Sequence, residues 1–573
     1  MTTTTERTED VTRRYSAGHA AAVVAAAGLV LWGVGSASVD LSDLGGFGLA
    51  PALPWPVWAG IVLVTGAFVG HVARPRFSER GAAVLVAVLV FVLYGLQPLT
   101  ERLPRTTTVW LHLGFVERFV TDGAVATGVD ARFSWPGFFA ASGLLRGAGG
   151  FDLVAVANWF PVVVAAGIAA LTLWLARYAG SPRPVAWLAA GVVTVTNWIE
   201  QDYFSPQAVA FLLALGVIVL LLGTRNPTGR RAAVLSAAVI PVCVLAELAI
   251  VVSHQLTPPL LGIQLLCLLV AGDRRVRSLL LVLIVAELTW FVIGAREFWT
   301  GQLALLTDGF GDVGGSVGSN VTNRLSQGDP GLVVVRLVRV ATFGLVVLVA
   351  ALGARIRARR GRPVRLLVFL AAVPWIVTPL QSYGGELYMR CALFGLPYLS
   401  VLVGEALWAA WGAREARRHR AAPGVWRRGV VLVAVSAVAC TLVFTRGGND
   451  GFSLVTPAEL SLASEAVDSV PAGGLLLLAE EQGPVRIARV GEIRYGSVAV
   501  VCDGELEVVP CALDRSADVV LFTRSMVRWG ELSRGSPADW ADGQVDALVR
   551  SGRYEVMTSG PGGIALRART QGE

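Results

Sequence analysis

Residues 197–208, NWIEQDYFSPQA, place Glu200, Asp202 and Tyr203 between two long apolar runs. A carboxylate can take the proton of a hydroxyl nucleophile as a new bond forms. Other short segments between apolar runs hold matching parts. Residues 130–140, DARFSWPGFFA, give Asp130, Arg132 and Trp135, and 38–54 give Asp40 and Asp43. Residues 381–390, QSYGGELYMR, add Tyr383, Glu386 and Arg390, and the stretch 100–152 adds His112 and Glu117. Arginine binds phosphate well because its planar fork can give two parallel hydrogen bonds. Carboxylate base and arginine together suit transfer of a group to a hydroxyl with departure of a phosphate, and an aromatic ring can stack on what is transferred.

The elements that must position these residues are membrane spans. Of 573 residues, 54% are hydrophobic and only 16% charged, with a mean hydropathy of +0.62. Soluble domains carry roughly 25% charged residues, so the composition excludes an ordinary soluble protein. A span needs about 20 apolar residues. About thirteen segments qualify on that principle: 18–37, 50–72, 81–99, 153–176, 184–199, 206–223, 232–252, 257–272, 278–295, 331–354, 364–381, 388–411 and 428–445. The expected fold is a polytopic α-helical membrane protein, with a cytoplasmic tail at 1–17, a membrane region at 18–445 and a separate unit at 446–573.

Orientation follows from the arginines. All 48 basic residues are arginine, and they crowd into alternate loops, such as 355–365 (RIRARRGRPVR) and 414–428. Positive loops stay cytoplasmic, so the N-terminus is expected inside and the tail beyond 445 outside. The pI near 9.4 therefore reflects topology, and no nucleic-acid partner is expected. Glu200, Asp202 and the other candidates then share the outer face of the membrane.

Segment 100–152 is far longer than an ordinary connection. Leu111, Phe115, Phe119 and Val120 fall at near-helical spacing, and FSWPGFFAASGLL is apolar but too short to span. Both pieces suit helices lying in the membrane interface. Such a first outside segment, a many-span core and a small terminal unit resemble the GT-C superfamily of integral-membrane glycosyltransferases. DARFSWPGFFA (130–140), NWIEQDYFSPQA (197–208) and YGGELYMRCALFGLP (383–397) are similar to blocks of an actinobacterial GT-C-like group. The resemblance implies a polyprenyl-phosphate-linked sugar donor, a glycan or protein acceptor in the cell envelope, membrane lipid as surroundings, and a single inverting displacement.

It also implies an acidic residue early in the first outside loop. Residues 100–117 offer Glu101 and Glu117 without a clean acidic pair; were the core to begin at the first span, Asp40 and Asp43 would take that place. Asp202, Asp40, Asp43 and Asp130 are thus the catalytic candidates, led by Asp202. Glu200, Tyr203, His112, Glu117, Arg132, Trp135, Tyr383, Glu386 and Arg390 are the binding candidates. Plainer roles stand beside these. Asp202 or Ser205, ahead of Pro206, could cap the next helix, and Glu386 with Arg390 could form a helical ion pair. No motif demands a metal, although carboxylates could hold a divalent cation.

Three acids inside apolar runs, Glu247, Glu287 and Glu405, support a rival class. A proton-coupled transporter or a flippase of lipid-linked glycans would use such groups as a relay. A non-catalytic envelope-assembly subunit is the third reading.

The tail alternates short apolar runs (474–480, 497–502, 518–523, 554–559, 563–568) with helical patterns at 457–469 and 537–551. This predicts a compact α/β unit. Cys502 and Cys511 flank DGELEVVP, and an extracytoplasmic unit permits a disulfide there, expected as a hairpin staple.

Overall fold

The computed structural model describes residues 4–74, 76–125, 128–225, 230–300, 328–378, 387–412, 425–502 and 507–569. Every one of the apolar segments named above contains helix. They are α1 (Thr4–Ser36), α2 (Trp55–Val72), α3 (Glu79–Tyr94), α7 (Leu153–Tyr178), α8 (Arg183–Thr196), α9 (Pro206–Gly223), α10 (Arg230–Val251), α11 (Thr257–Val270), α12 (Val276–Thr289), α13 (Pro330–Arg359), α14 (Arg365–Ala372), α15 (Leu387–Ala410) and α16 (Val425–Arg446). Among the described residues, eight helices are long and apolar enough to cross a membrane, and α8, α11 and α14 belong to shorter apolar helices. The protein is a multi-pass membrane protein.

Local chemistry sets the helix starts. Ser78 accepts a hydrogen bond from the Gly81 amide to begin α3, Asp152 from Val154 to begin α7, and Asp329 from Gly331 to begin α13. Proline at the first helical position, as in α9 and α13, removes an amide that would have no partner. Helix α15 is the bundle's centre: 83% of its apolar window is buried, against 17% for α13. It packs on α8, α13 and α14. Leu345, Leu348 and Leu352 of α13 are exposed, as a helix facing lipid requires.

Between α3 and α7 lie three helices: α4 (Leu96–Glu101), α5 (Thr107–Asp122) and α6 (Gly137–Gly149). Phe115, Phe133, Phe138, Phe139 and Phe204 form one buried aromatic cluster beneath α5 and α6. The long segment therefore forms two helices clamped by phenylalanines, each too short to span.

The terminal unit is a five-stranded sheet in the order β2-β1-β3-β5-β4, with β1 (Leu475–Leu478), β2 (Arg494–Ser497), β3 (Val519–Thr523), β4 (Tyr554–Gly560) and β5 (Gly563–Ala568). Strands β2, β1 and β3 run parallel, with Leu476 paired to both Tyr495 and Val519; β5 runs antiparallel to β3 and β4. LLLL and VVLFT are buried at every position, as expected of central strands covered on both faces. Helices α17 (Pro457–Ser469), α18 (Val508–Arg515) and α19 (Trp540–Arg550) pack around the sheet.

One strand is displaced from its expected position. Residues 497–502 were expected to be extended, yet β2 ends at Ser497 and Val498–Val501 is a single helical turn. That turn carries Cys502 to Cys511 on α18, with sulfurs 1.98 Å and Cα atoms 5.9 Å apart. The bond joins two helical segments, not the strands of a hairpin.

Candidate functional site

A cavity of about 1110 Å³ lies where the bundle meets the sheet unit. The bundle supplies Arg105 and Thr106–Thr108 at the start of α5, Arg132, the 198–203 loop, and Arg336 and Arg339 on α13. The sheet unit supplies Leu478, Glu481, Gln482, Val485 and Arg486 after β1, and Trp529, Ser533 and Arg534 after β3. These are the carboxyl ends of two adjacent parallel strands. Strand β1 connects onward to β2 on one side while β3 lies on the other, and such a switch point is where open α/β sheets bind ligands.

The lining holds six arginines (Arg105, Arg132, Arg336, Arg339, Arg486, Arg534) and two glutamates (Glu200, Glu481). Carboxylates behind it fix several guanidinium planes. Asp130 takes Nε and Nη2 of Arg132, both at 2.8 Å, and lies 3.8 Å from Arg486. Burial alone would raise the Asp130 carboxyl, but the hydrogen bonds from Arg132 outweigh it and hold the group below the usual range. Glu480 takes Arg534 through both oxygens, at 2.8 and 2.9 Å, while burial pushes its own carboxyl up to about 7.

A second network lies beneath the 198–203 loop. Arg105 binds Glu200, the Asp450 carboxylate at 2.6 Å and the Arg446 carbonyl at 2.8 Å. Arg339 reaches Glu200 at 3.3 Å and the Thr445 carbonyl at 3.0 Å through Nε. Glu101 is buried next to Asp450; burial, and then that neighbouring carboxylate, push it well above the usual range. Glu200 has φ +58°, a left-handed conformation costing a non-glycine residue on the order of 1–3 kcal/mol. The two arginines on its carboxylate hold it there.

The structure separates the sequence candidates. Glu200, Tyr203 and Arg132 line the cavity. Asp202 does not: it is buried, and Arg446 engages both of its oxygens at 3.0 and 3.1 Å. Arg446 in turn sits over the Tyr94 ring at 4.6 Å. Asp202 therefore neutralises a buried cation. The cap of α9 is Ser205, whose hydroxyl accepts from the Ala208 amide. Asp40 and Asp43 are exposed in the loop after α1, with Asp40 folded back onto the Ser42 amide, and neither reaches the cavity. Asp130 acts from behind, through Arg132.

His112 is a clamp in the aromatic cluster. Its ring stacks on Tyr203, and Nδ1 donates to the Phe204 carbonyl at 2.9 Å. Burial lowers it to about 4. Glu117 pairs with Arg146 of α6, Trp135 packs edge-on against Phe298, and Arg390 is buried at the start of α15; none lines the cavity. Tyr383 and Glu386 lie outside the described residues.

Several lining groups were missed by sequence reasoning. Arg336 and Arg339 interrupt an apolar run at i, i+3 spacing, which puts them on one helix face; intramembrane charges are functional candidates by default, so that signal was present. Arg105 and Glu481 look like ordinary loop charges, and nothing local marks them.

The remaining buried acids lie elsewhere. Neither Glu247 nor Glu287 lines the cavity. Glu405 is fully buried and meets Arg357 at 3.0 Å, Arg360 at 3.7 Å, and Arg362. Among the described residues, no group of three or more His, Cys, Asp or Glu side chains could hold a metal ion.

No known family model and no curated protein matches the sequence. Solved structures do match in fold. ArnT from Cupriavidus metallidurans bound to undecaprenyl phosphate aligns over 86% of this chain and 99% of its own, with a TM-score of 0.52 and 12% identity. The apo form of the same enzyme gives 0.52, 13%, 86% and 99%. The Archaeoglobus fulgidus oligosaccharyltransferase, in complex with zinc and sulfate, aligns at 0.48 and 13% over 85% of this chain and 73% of its own.

Proposed function

We propose that this protein, whose fold is that of a GT-C-like membrane glycosyltransferase, transfers a sugar from a polyprenyl-phosphate-linked donor to a cell-envelope glycan or protein. The observation that carries this reading is the arginine-lined cavity at the junction of bundle and sheet unit. The lipid tail stays in the bilayer, and the phosphate enters among Arg105, Arg132, Arg336 and Arg339. As the bond between sugar and phosphate breaks, negative charge grows on the leaving phosphate. Prepositioned guanidinium groups stabilise that charge without reorganising. The acceptor hydroxyl attacks from the opposite face, so the anomeric centre inverts in one displacement.

The cavity faces outward if the arginine-rich loops are cytoplasmic, which puts the donor, the acceptor and the sheet unit on the outer surface of the plasma membrane. The transporter reading would place its chemistry at Glu247 or Glu287, away from this cavity.

The test is binding of undecaprenyl phosphate to the detergent-purified full chain, followed by tryptophan fluorescence. A charge-assisted hydrogen bond contributes roughly 1.5–3 kcal/mol, so Arg339→Gln should weaken binding about 10- to 100-fold. The same affinity in wild type and variant would remove the phosphate from this cavity.

A further inference from the structure

Four bundle carboxylates around the cavity already have guanidinium partners, while Glu101 is buried beside Asp450 and does not line the cavity. Asp202 is engaged by Arg446, Asp130 by Arg132, Asp450 by Arg105, and Glu200 by Arg105 and Arg339. A carboxylate paired with a guanidinium is a weaker base, because the adjacent positive charge favours its ionised form. Glu481 differs. It is exposed, lines the same cavity, and among the described residues makes no hydrogen bond or ion pair.

Its position is nevertheless fixed. The preceding residue, Glu480, grips Arg534 through both oxygens, and the following residue, Gln482, takes a hydrogen bond from Thr107 of α5 at 3.3 Å. Further along, the Arg486 carbonyl sits so near Gly114 of α5 that a Cβ there would lie 2.0 Å from it. The loop is thus tied at both ends, as a reacting group requires. Glu481 also acts electrostatically on Arg132 and Arg486, so base and phosphate-binding cations lie in one field. Trp529, Ser533 and Gln482 complete this wall with an aromatic face, a hydroxyl and an amide, a set suited to a carbohydrate.

We propose that Glu481, on the sheet unit, is the catalytic base that takes the proton of a carbohydrate acceptor hydroxyl; this rests on the transferase reading above. The hydroxyl proton passes to the Glu481 carboxylate as the acceptor oxygen bonds to the anomeric carbon. The bond from that carbon to the phosphate oxygen breaks, and its electron pair leaves with the lipid phosphate. Glu481 then releases its proton to water.

The experiment is a deletion strain complemented at matched membrane levels by wild type, Glu481→Gln, Glu481→Asp or the surface control Asp514→Asn. Envelope glycan linkages, accumulated lipid-linked sugar and undecaprenyl phosphate binding by the purified chains are read together. General-base catalysis contributes typically 10²–10⁴-fold, so Glu481→Gln should lower formation of one linkage at least about 100-fold. It should also accumulate donor and bind undecaprenyl phosphate as wild type does. Aspartate should restore part of the linkage and the control all of it. Full restoration by Glu481→Gln would overturn the proposal and leave the transferase reading intact. Loss of linkage together with loss of phosphate binding would also overturn it, making Glu481 a structural support. An unchanged glycan in the deletion strain itself would overturn the transferase reading and this proposal with it.

Discussion

Helix α13 carries arginines towards both ends, roughly 27 Å apart between positions 339 and 357 at 1.5 Å per residue, and the two sets behave differently. At the far end Arg357, Arg360 and Arg362 converge on Glu405, whose side chain and that of Arg357 are wholly buried. No cavity residue takes part there. At the sheet end Arg339 shares Glu200 with Arg105, and the pair opens onto about 1110 Å³ of space. A cluster of paired arginines is therefore not a site by itself. What marks the sheet end is the cavity, a left-handed glutamate, and two strand ends facing it across the gap.

The comparison can be attacked first at the closed end. Removing one partner of a buried ion network costs about 3–5 kcal/mol, because the remaining charge is left uncompensated. Glu405→Ala should therefore remove most folded protein from the membrane, seen as a large drop in detergent melting temperature. A normally stable Glu405→Ala protein lacking activity would instead place chemistry at the closed end.

Asp202 tests whether one pair at the open end belongs to the closed kind. Asp202→Asn keeps shape and some hydrogen bonding but strips Arg446 of its counter-charge, costing about 2–3 kcal/mol by the same reasoning. Asp202→Asn combined with Arg446→Met should recover much of that stability. A fully stable but inactive Asp202→Asn protein would make Asp202 a reacting group after all.

The smallest effect is at the clamp holding the 198–203 loop. His112 titrates near 4 when folded against 6.5 ordinarily. Its folded pKa is depressed, so its contribution is complete above pH 6.5 and is lost as pH falls towards 4, because the unfolded chain takes up the proton first. By pH 5.5 the loss is about 1–2 kcal/mol. His112→Gln should flatten this part of the melting curve between pH 6.5 and 5; an unchanged slope would mean that the ring is not closed off from water.

Much of this architecture is legible in the sequence, because spans depend on local composition and each apolar run can be recognised alone. The strands 475–478, 519–523, 554–560 and 563–568 announce themselves in the same way. The site is harder to read for a physical reason. Asp202 and Arg446 are 244 positions apart, and Arg105 and Asp450 are 345 apart. Nothing near Asp202 indicates that its oxygens are occupied, and nothing near Glu481 that its oxygens are not. Glu200, Tyr203 and Arg132 were found because charged and aromatic residues between spans were taken as candidates, a filter that also returned Glu117, Trp135 and Arg390, which do not line the cavity. Val498–Val501 misled because β-branched residues favour strands only where a neighbouring strand can receive them.

The ion pair between Arg105 and Asp450 also sets a clock on biosynthesis. At ~5–20 residues per second, the ribosome needs roughly 20–70 s to travel from one partner to the other. Until then the start of α5 carries a guanidinium that has met Glu200 but not its second carboxylate. The cavity wall formed by α13 arrives within that interval, and the wall formed by the sheet unit only after it. A chain released early would thus present charged groups whose partners had not yet been made, rather than a completed cavity.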